Sequence, residues 1–316
     1  MVHKQVKRQA DRSPRLEVDI GTVRLRNPVM TASGTFAYGV EFAHLMDLDA
    51  IGGIVVKGIS MKPIKGNPPP RIWETSSGML NAIGWQNIGA VEFVTAKLPA
   101  LRKYRTNIVV NIVGFDLDDY LEVARFLNDC PGIAALELNI SCPNVKKGGF
   151  HFNKDPRDAH AVTAQTKKVC TRLPLWVKLS PNVTDICEFA RACEEAGADA
   201  LSVVNTFVGM AIDVEKRRPR LKYVTGGLSG PAIKPVALRM VWQACRAVKI
   251  PVIGVGGIAT TEDALEFLIA GARAVQVGTA NFYNPAASQQ IAAGLAEYCS
   301  SKAIGDINEI IGSLRT

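Results

Sequence analysis

The chain has 316 residues, 47% of them hydrophobic and 21% charged, and a formal net charge of +8. That composition is globular, and the length suits two domains or one large α/β barrel. No stretch approaches the roughly 20 apolar residues that span a bilayer, which argues against a membrane protein.

Residues 1–15, MVHKQVKRQADRSPR, hold five Lys or Arg against one Asp, half of the chain's net charge. They contain no apolar core segment, so they do not form a secretory signal. They predict a basic, disordered tail ahead of a single domain over residues 16–316. Contact with a nucleic acid or an acidic partner is the alternative, but no aromatic or Gly-rich RNA-binding signature supports it. Leu16–Ile20, the Gly21-Thr22 turn and Val23–Leu25 predict a short β-hairpin. Eight β-branched runs follow, at 29–32, 54–57, 108–112, 135–139, 175–179, 200–205, 252–256 and 274–279. Helical patterns lie between them. In 184–196, Ile186, Phe189, Ala190 and Cys193 recur at helical spacing, and in 235–248 so do Leu238, Val241, Trp242, Cys245 and Val248. Alternating strand and helix predicts an α/β fold with a parallel sheet, most simply one (β/α)8 barrel, with a doubly wound open sheet as runner-up.

The expected strands end on Lys57, Asn111, Asn139, Lys178, Asn205, Gly256 and Gly278-Thr279. Any one polar residue can simply terminate a strand. Two lysines and three asparagines ending five barrel strands predict a mouth that binds something anionic and rich in amides. Residues 254–259, GVGGIA, match a G-x-G-x-x-A pattern, but no Asp or Glu follows at the next strand end, so a dinucleotide fold is disfavoured. Gly256-Gly257 paired with Gly278-Thr279 predicts a backbone phosphate cradle, with Thr260/Thr261 and Glu262-Asp263 starting a helix behind it.

Seven cysteines (Cys130, Cys142, Cys170, Cys187, Cys193, Cys245, Cys299) include no Cys-x-x-Cys pair. This argues against a disulfide framework, a zinc site or an iron–sulfur cluster in the chain, and points to a reducing cytoplasm. Cys187, Cys193 and Cys245 read as packing. Cys142 alone stands among polar groups, in LELNISCPN (136–144). It could be a buried structural thiol, a nucleophile using His151, or a general base. The flanking amides, which orient a planar polar substrate, suit the base best. Lys146-Lys147-Gly148-Gly149 reads as a mobile loop over the mouth.

These residues carry a resemblance. NPVMTASGTFAYG (27–39), VVKG (55–58), KGNPPPR (65–71), MLNAIGWQN (79–87), ELNISCPNVKKGG (137–149), VKLSPNVTD (177–185), TGGLSGPAIKPVALRMVWQ (225–243), GVGGI (254–258) and QVGTA (276–280) stand in order at barrel spacing. Over roughly residues 16–305 the chain resembles the catalytic subunit of class 1 dihydroorotate dehydrogenases, in the heteromeric branch. The resemblance implies a TIM barrel with one FMN, its phosphate held by Gly230, Gly256, Gly257, Gly278 and Thr279. Ala32, Ser33, Lys57, Gly58, Asn111, Asn139, Lys178 and Val204 would contact its ring and ribityl chain. Orotate would be read by Lys57, Asn81, Ile83, Gly84, Trp85, Asn139, Asn144, Asn205 and Thr206. Cys142 would take the C5 proton of dihydroorotate while the C6 hydride goes to FMN N5, a step of de novo UMP biosynthesis. Electrons would reach NAD through a separate subunit carrying FAD and a 2Fe–2S cluster, in a heterotetramer of two of each. Trp85 departs from the pattern, which has an aliphatic residue there.

Three rival readings remain at this level. The flavin domain of dihydropyrimidine dehydrogenases shares the Asn-x-Ser-Cys-Pro turn, but Lys57 and Asn144 suit a carboxylated ring better. A tRNA dihydrouridine synthase would use the positive charge, half of which sits in the tail. A non-catalytic flavin-binding or assembly subunit would not need Cys142 between two asparagines. The membrane-associated class would carry an N-terminal anchor and a serine base, and the GGLSGPAIKPVALRM stretch favours the heteromeric branch over fumarate-reducing homodimers.

Overall fold

The computed structural model describes residues 13–141 and 154–315. The hairpin pairs Val18–Ile20 with Val23–Leu25 antiparallel, Val18 facing Leu25. Its period of two buries Val18, Ile20, Val23 and Leu25 and leaves Asp19 and Arg24 outside, 3.0 Å apart. Gly21 lies against Asp199, which precedes a barrel strand, and Arg24 O accepts from Asn107 Nδ2 at the start of another. The hairpin therefore sits at the N-terminal end of the barrel, opposite the mouth.

Eight parallel strands close the barrel: β1 (Val29–Thr31), β2 (Gly53–Ile59), β3 (Asn107–Ile112), β4 (Ala135–Asn139), β5 (Leu175–Lys178), β6 (Ala200–Val203), β7 (Val252–Val255) and β8 (Ala274–Val277). Closure is made by β8 on β1, with Val275 opposite Val29 and Val277 opposite Thr31. The eight expected runs are these strands, with small shifts at their ends. β6, β7 and β8 stop at Val203, Val255 and Val277, so Asn205, Gly256 and Gly278-Thr279 lie just past them, while Lys57 stands inside β2. Parallel strands are covered on both faces, which is why β4 to β8 are buried throughout and read as continuous apolar runs.

Four of the outer helices begin where side chains cap them. Asp116, Asp155 and Asp185 accept backbone N–H groups at the starts of α1 (Leu117–Asn128), α2 (Pro156–Val169) and α3 (Ile186–Glu195). α4 (Lys234–Ala247) follows, and α5 (Thr261–Ile269) starts in a full capping box between Thr260 and Asp263. The chain closes with Ala280–Tyr283 and α6 (Ala287–Ser301). Cys193 is wholly buried and Cys187 and Cys245 pack against the core, as expected. Burial pushes the Cys193 and Cys245 thiols up to about 12, far from a reactive thiolate.

Two excursions build a further layer. Residues after β2 supply Ile72–Thr75 and Gly78–Asn81, and residues after β6 supply Phe207–Gly209 and Gly226–Ser229. They form one antiparallel sheet in the order 207–209, 226–229, 78–81, 72–75. Both excursions leave from C-terminal strand ends, so this sheet stands over the mouth. Among the described residues, no helix is long and apolar enough to cross a membrane.

Candidate active site at the C-terminal mouth of the barrel

Alternation along β3, β4, β5, β6 and β8 turns Asn111, Glu137, Asn139, Lys178, Ser202 and Gln276 toward one another in the barrel interior, where all are buried. Glu137 is wholly inaccessible. Its Oε1 accepts from Asn111 Nδ2 at 2.7 Å, and its Oε2 accepts from Ser202 Oγ at 2.6 Å and Gln276 Nε2 at 2.7 Å. Lys178 Nζ lies 3.8 Å from Glu137 Oε1 and donates to Ser33 Oγ at 3.3 Å and Gln276 Oε1 at 3.4 Å. A buried cation is tolerated because its counter-charge and acceptors are built in. Above this floor, Asn139 Nδ2 donates to Asn111 Oδ1 at 3.3 Å, and Gly58 makes room beside it, since a Cβ there would lie 3.0 Å from Asn111 Oδ1.

The rim carries a second cation. Lys57 is half-buried and has no acidic partner among the described residues. Burial, and then the charge of Arg71, pull its pKa below the usual lysine value. Arg71 is anchored through Asn67 O at 3.1 Å and Gln86 Oε1 at 2.6 Å. Burial and a like charge both work against protonated Lys57, and an anionic ligand would relieve both. Asn205 Nδ2 donates to Ser141 Oγ at 2.5 Å, and Thr206 N donates to Asn205 Oδ1 at 2.8 Å. Asn81 Nδ2 reaches Gly227 O at 3.2 Å, and Gly227 must be glycine because its Cβ would lie 2.1 Å from Thr206 Oγ1. Asn81, in the added sheet, is thus brought through Gly227 to Thr206 and its neighbour Asn205.

Ile83, Gly84 and Trp85 follow on a segment tied to Asn67, which donates to Ile83 O at 2.8 Å and Ala82 O at 2.9 Å. Trp85 sits at φ +55°, a left-handed conformation unusual for a bulky side chain, with its ring 5.3 Å from Phe115 beyond the end of β3. The described contacts of these three residues are to the rim, not to Lys57 or Asn139.

The glycines form a second centre. Gly230, Gly256 and Gly257 have φ of +94°, +134° and +75°. A Cβ on Gly257 would lie 2.9 Å from Gly230 O, and one on Gly230 would lie 3.4 Å from Thr279 Cγ2. Gly278 stands against Ala32, whose N–H bonds to Val277 O at 2.7 Å, and Thr279 Oγ1 donates to Ser229 Oγ at 2.8 Å. Val204 N donates to Val255 O at 3.0 Å between the two centres. The helix start at Thr260 is present, but its Ala259 and Thr260 N–H groups donate to Asp263 Oδ2. Lys234, packed on Gly257, is held by Asp263 at 2.7 Å and Glu266 at 3.0 Å. The cradle therefore offers backbone, not side-chain charge, and suits a phosphate approached closely by N–H groups. Cys142, Asn144, Lys146-Lys147-Gly148-Gly149 and His151 lie outside the described residues. Arg71, Glu137, Ser141 and Gln276 were not singled out from the sequence as site residues. Only Glu137 had a usable signal, a carboxylate two positions before Asn139 in an otherwise apolar strand.

A closed (β/α)8 barrel with a cluster of positive-φ glycines after its last two strands, and cations among amides at its C-terminal mouth, defines the class of protein: a TIM barrel with its polar groups gathered where catalytic residues of that fold sit. Residues 15–299 match the family model for dihydroorotate dehydrogenase. The chain belongs to the dihydroorotate dehydrogenase family. It is 60% identical over 301 residues to the dihydroorotate dehydrogenase B (NAD(+)) catalytic subunit of Trichlorobacter lovleyi, covering 95% of this chain and 99% of that one. It is 58% identical over 303 residues to the subunit of the same name from Geotalea uraniireducens, covering 96% and 99%. The fold is shared with the crystal structure of DHODH in complex with ferulenol from Eimeria tenella, at 24% identity and a TM-score of 0.78, covering 96% of this chain and 90% of that one.

Proposed function

We propose that this chain oxidises dihydroorotate to orotate in pyrimidine biosynthesis, with FMN in the barrel mouth, as the catalytic subunit of an NAD-linked enzyme. The observation that carries the reading is Lys57, half-buried beside Arg71 with no acid to pair with among the described residues. Such a group is completed by the carboxylate of a bound ligand. Asn81, Asn139, Asn205 and Thr206 supply the amide and hydroxyl groups that a cyclic imide needs, and Asn144 would join them.

The residues also fit FMN. The glycine cradle admits a phosphate where any Cβ at Gly256 or Gly257 would meet neighbours at 2.6–2.8 Å. Lys178, Ser33, Asn111 and Asn139 line the floor next to it, where the ring would rest, and the Lys178 cation favours negative charge on the ring's edge. Held by these residues, FMN would supply the two-electron acceptor that oxidation at C6 of dihydroorotate requires. Cys142, as thiolate, would take the C5 proton; an unperturbed thiol has a pKa of about 8.5, so donors around it must favour the thiolate at neutral pH. The added sheet over the mouth would exclude water from both sites.

Among the described residues no group of three or more Cys, His, Asp or Glu gathers as a metal site; in this reading electrons leave through a partner subunit with FAD and a 2Fe–2S cluster, two of each chain per assembly. The name "catalytic subunit" borne by the relatives supports a partner. The test is anaerobic: dihydroorotate added to the purified chain bleaches the flavin band. A flavin that stays oxidised with dihydroorotate and bleaches with a dihydrouracil would transfer the reading to pyrimidines without a carboxylate. Rapid fumarate reduction by the isolated chain would remove the partner from it.

A further inference from the structure

Three donors, Asn111, Ser202 and Gln276, converge on Glu137, and the Lys178 ammonium lies 3.8 Å away as its counter-charge. An ionised carboxylate can only accept, so it dictates which way each amide beside it must face. Asn111 turns its NH2 to Glu137, which aims its Oδ1 at Asn139. Asn139 then uses its NH2 on Asn111, so its own Oδ1 faces Ser141, accepting from the hydroxyl at 2.5 Å and from the backbone N at 3.3 Å. With its proton given away, Ser141 Oγ accepts from Asn205 Nδ2, and Asn205 Oδ1 accepts from the Thr206 N–H. Every link has one sense, set at one end by the carboxylate and matched at the other by the Ser141 and Thr206 backbone N–H groups. Reversing any amide would set donor against donor.

We propose that Glu137 is a positioning residue whose buried carboxylate sets the donor–acceptor sense of a hydrogen-bond relay, Asn111–Asn139–Ser141–Asn205, so that Asn139 and Asn205 turn N–H rather than C=O toward the oxygens of the bound substrate. The idea rests on the mouth being the orotate site. A carboxamide uses one of its two N–H bonds in each relay link described, which leaves one per asparagine for a ligand acceptor. The same carboxylate orients Gln276, whose Oε1 is thereby left to accept from Lys178. Chains of this kind polarise along their length, so the effect of one end is felt at the other.

Glu137→Gln tests it, because the new NH2 faces donors and no longer enforces one sense. Holoprotein is labelled with 15N-asparagine, and orotate binding is read from the flavin spectrum. The expected result is displaced side-chain NH2 resonances for Asn139 and Asn205, and orotate binding weakened about tenfold or more, the effect of one misdirected buried group. Glu137→Asp, still an acceptor only, recovers part of that loss. If Asn111 alone shifts, or orotate binds Glu137→Gln holoprotein within twofold of the parent, Glu137 is merely structural and the relay is overturned. If the parent protein itself fails to bind orotate, the functional reading falls, and the resonances alone decide the relay. Should Glu137→Gln not fold, Ser141→Ala cuts the relay at the rim: an unmoved Asn205 resonance with unchanged orotate binding refutes it, and a shifted resonance with weakened binding supports it.

Discussion

Replacing Gly257 with alanine puts the cradle reading to a quantitative test. Gly257 has φ +75°, and a Cβ there would lie 2.8 Å from both Lys234 Cβ and Lys234 N and 2.9 Å from Gly230 O. The left-handed backbone costs an L-residue about 1–2 kcal/mol, and forcing a methyl against backbone that cannot yield costs about 1–3 kcal/mol more. The penalty of about 2–5 kcal/mol can be met in two ways. If the 256–257 turn moves off Gly230, the cradle opens, and FMN binds about thirtyfold more weakly or worse, since about 1.4 kcal/mol is a factor of ten. If the turn holds, the protein melts lower, by about 2–4 °C per kcal/mol for a domain approaching this size. Gly34→Ala separates the terms. Gly34 has φ +82° with nothing within 4 Å of its Cβ, so only the backbone cost applies. Fluorescence titration of apoprotein with FMN and thermal melts of both forms read the two outcomes. Gly257→Ala protein that matches the parent in both would refute the argument that this turn needs glycine and that FMN phosphate depends on it.

Lys57→Ala should weaken orotate about 10²-fold, the loss of a charged hydrogen bond, while FMN content stays within twofold; equilibrium titration of the flavin spectrum checks it. The pH dependence follows from the same residue. Burial and Arg71 lower its pKa from 10.5, so folded Lys57 loses its proton before the unfolded chain does. The penalty on the ligand-free protein is present at neutral pH and is relieved as pH rises through the folded value, whereas orotate binding, which needs the cation, weakens over that same rise. A binding curve flat to pH 10.5 would exclude Lys57 from carboxylate recognition. Lys178→Met leaves Glu137 buried without its cation and should cost about 3–5 kcal/mol of stability, visible as a melting shift; an unshifted melt would mean the pair is not the compensated one described. Cys142→Ala should leave FMN bound and slow flavin reduction by dihydroorotate about 10²-fold, the range of a lost general base, in a stopped-flow experiment. Unchanged reduction would remove the cysteine from the mechanism.

The barrel was legible because its signals are local. Most strands are short β-branched runs, and several of the helices announce themselves with a capping Asp or Thr or an apolar stripe such as Ile186, Phe189, Ala190 and Cys193. The added sheet was not legible. Ile72–Thr75 has no buried residue and no apolar/polar alternation, and Gly226–Ser229 opens on two glycines. Their pairing depends on Asn81 meeting Gly227 and Leu80 meeting Leu228, contacts between segments about 150 residues apart. Propensity carries no information about such a partnership.

The site divides in the same way. The strand-end lysines and asparagines could be read in advance because a polar residue at the end of an apolar strand contradicts burial, and the contradiction is visible one strand at a time. What could not be read is which polar group answers which. Glu137 looks like one charge in an apolar strand until β3, β6 and β8 each bring a donor to it and β5 a cation. Lys178 looks equally exceptional until Glu137 lies 3.8 Å away. Lys57 stays exceptional after folding, with Arg71 raising the strain on its charge and no acid answering it among the described residues. That difference separates the two lysines by role. A buried charge whose partner the fold supplies belongs to the architecture of the floor, and one with no acid among the described residues is where the proposed substrate carboxylate would complete the pair.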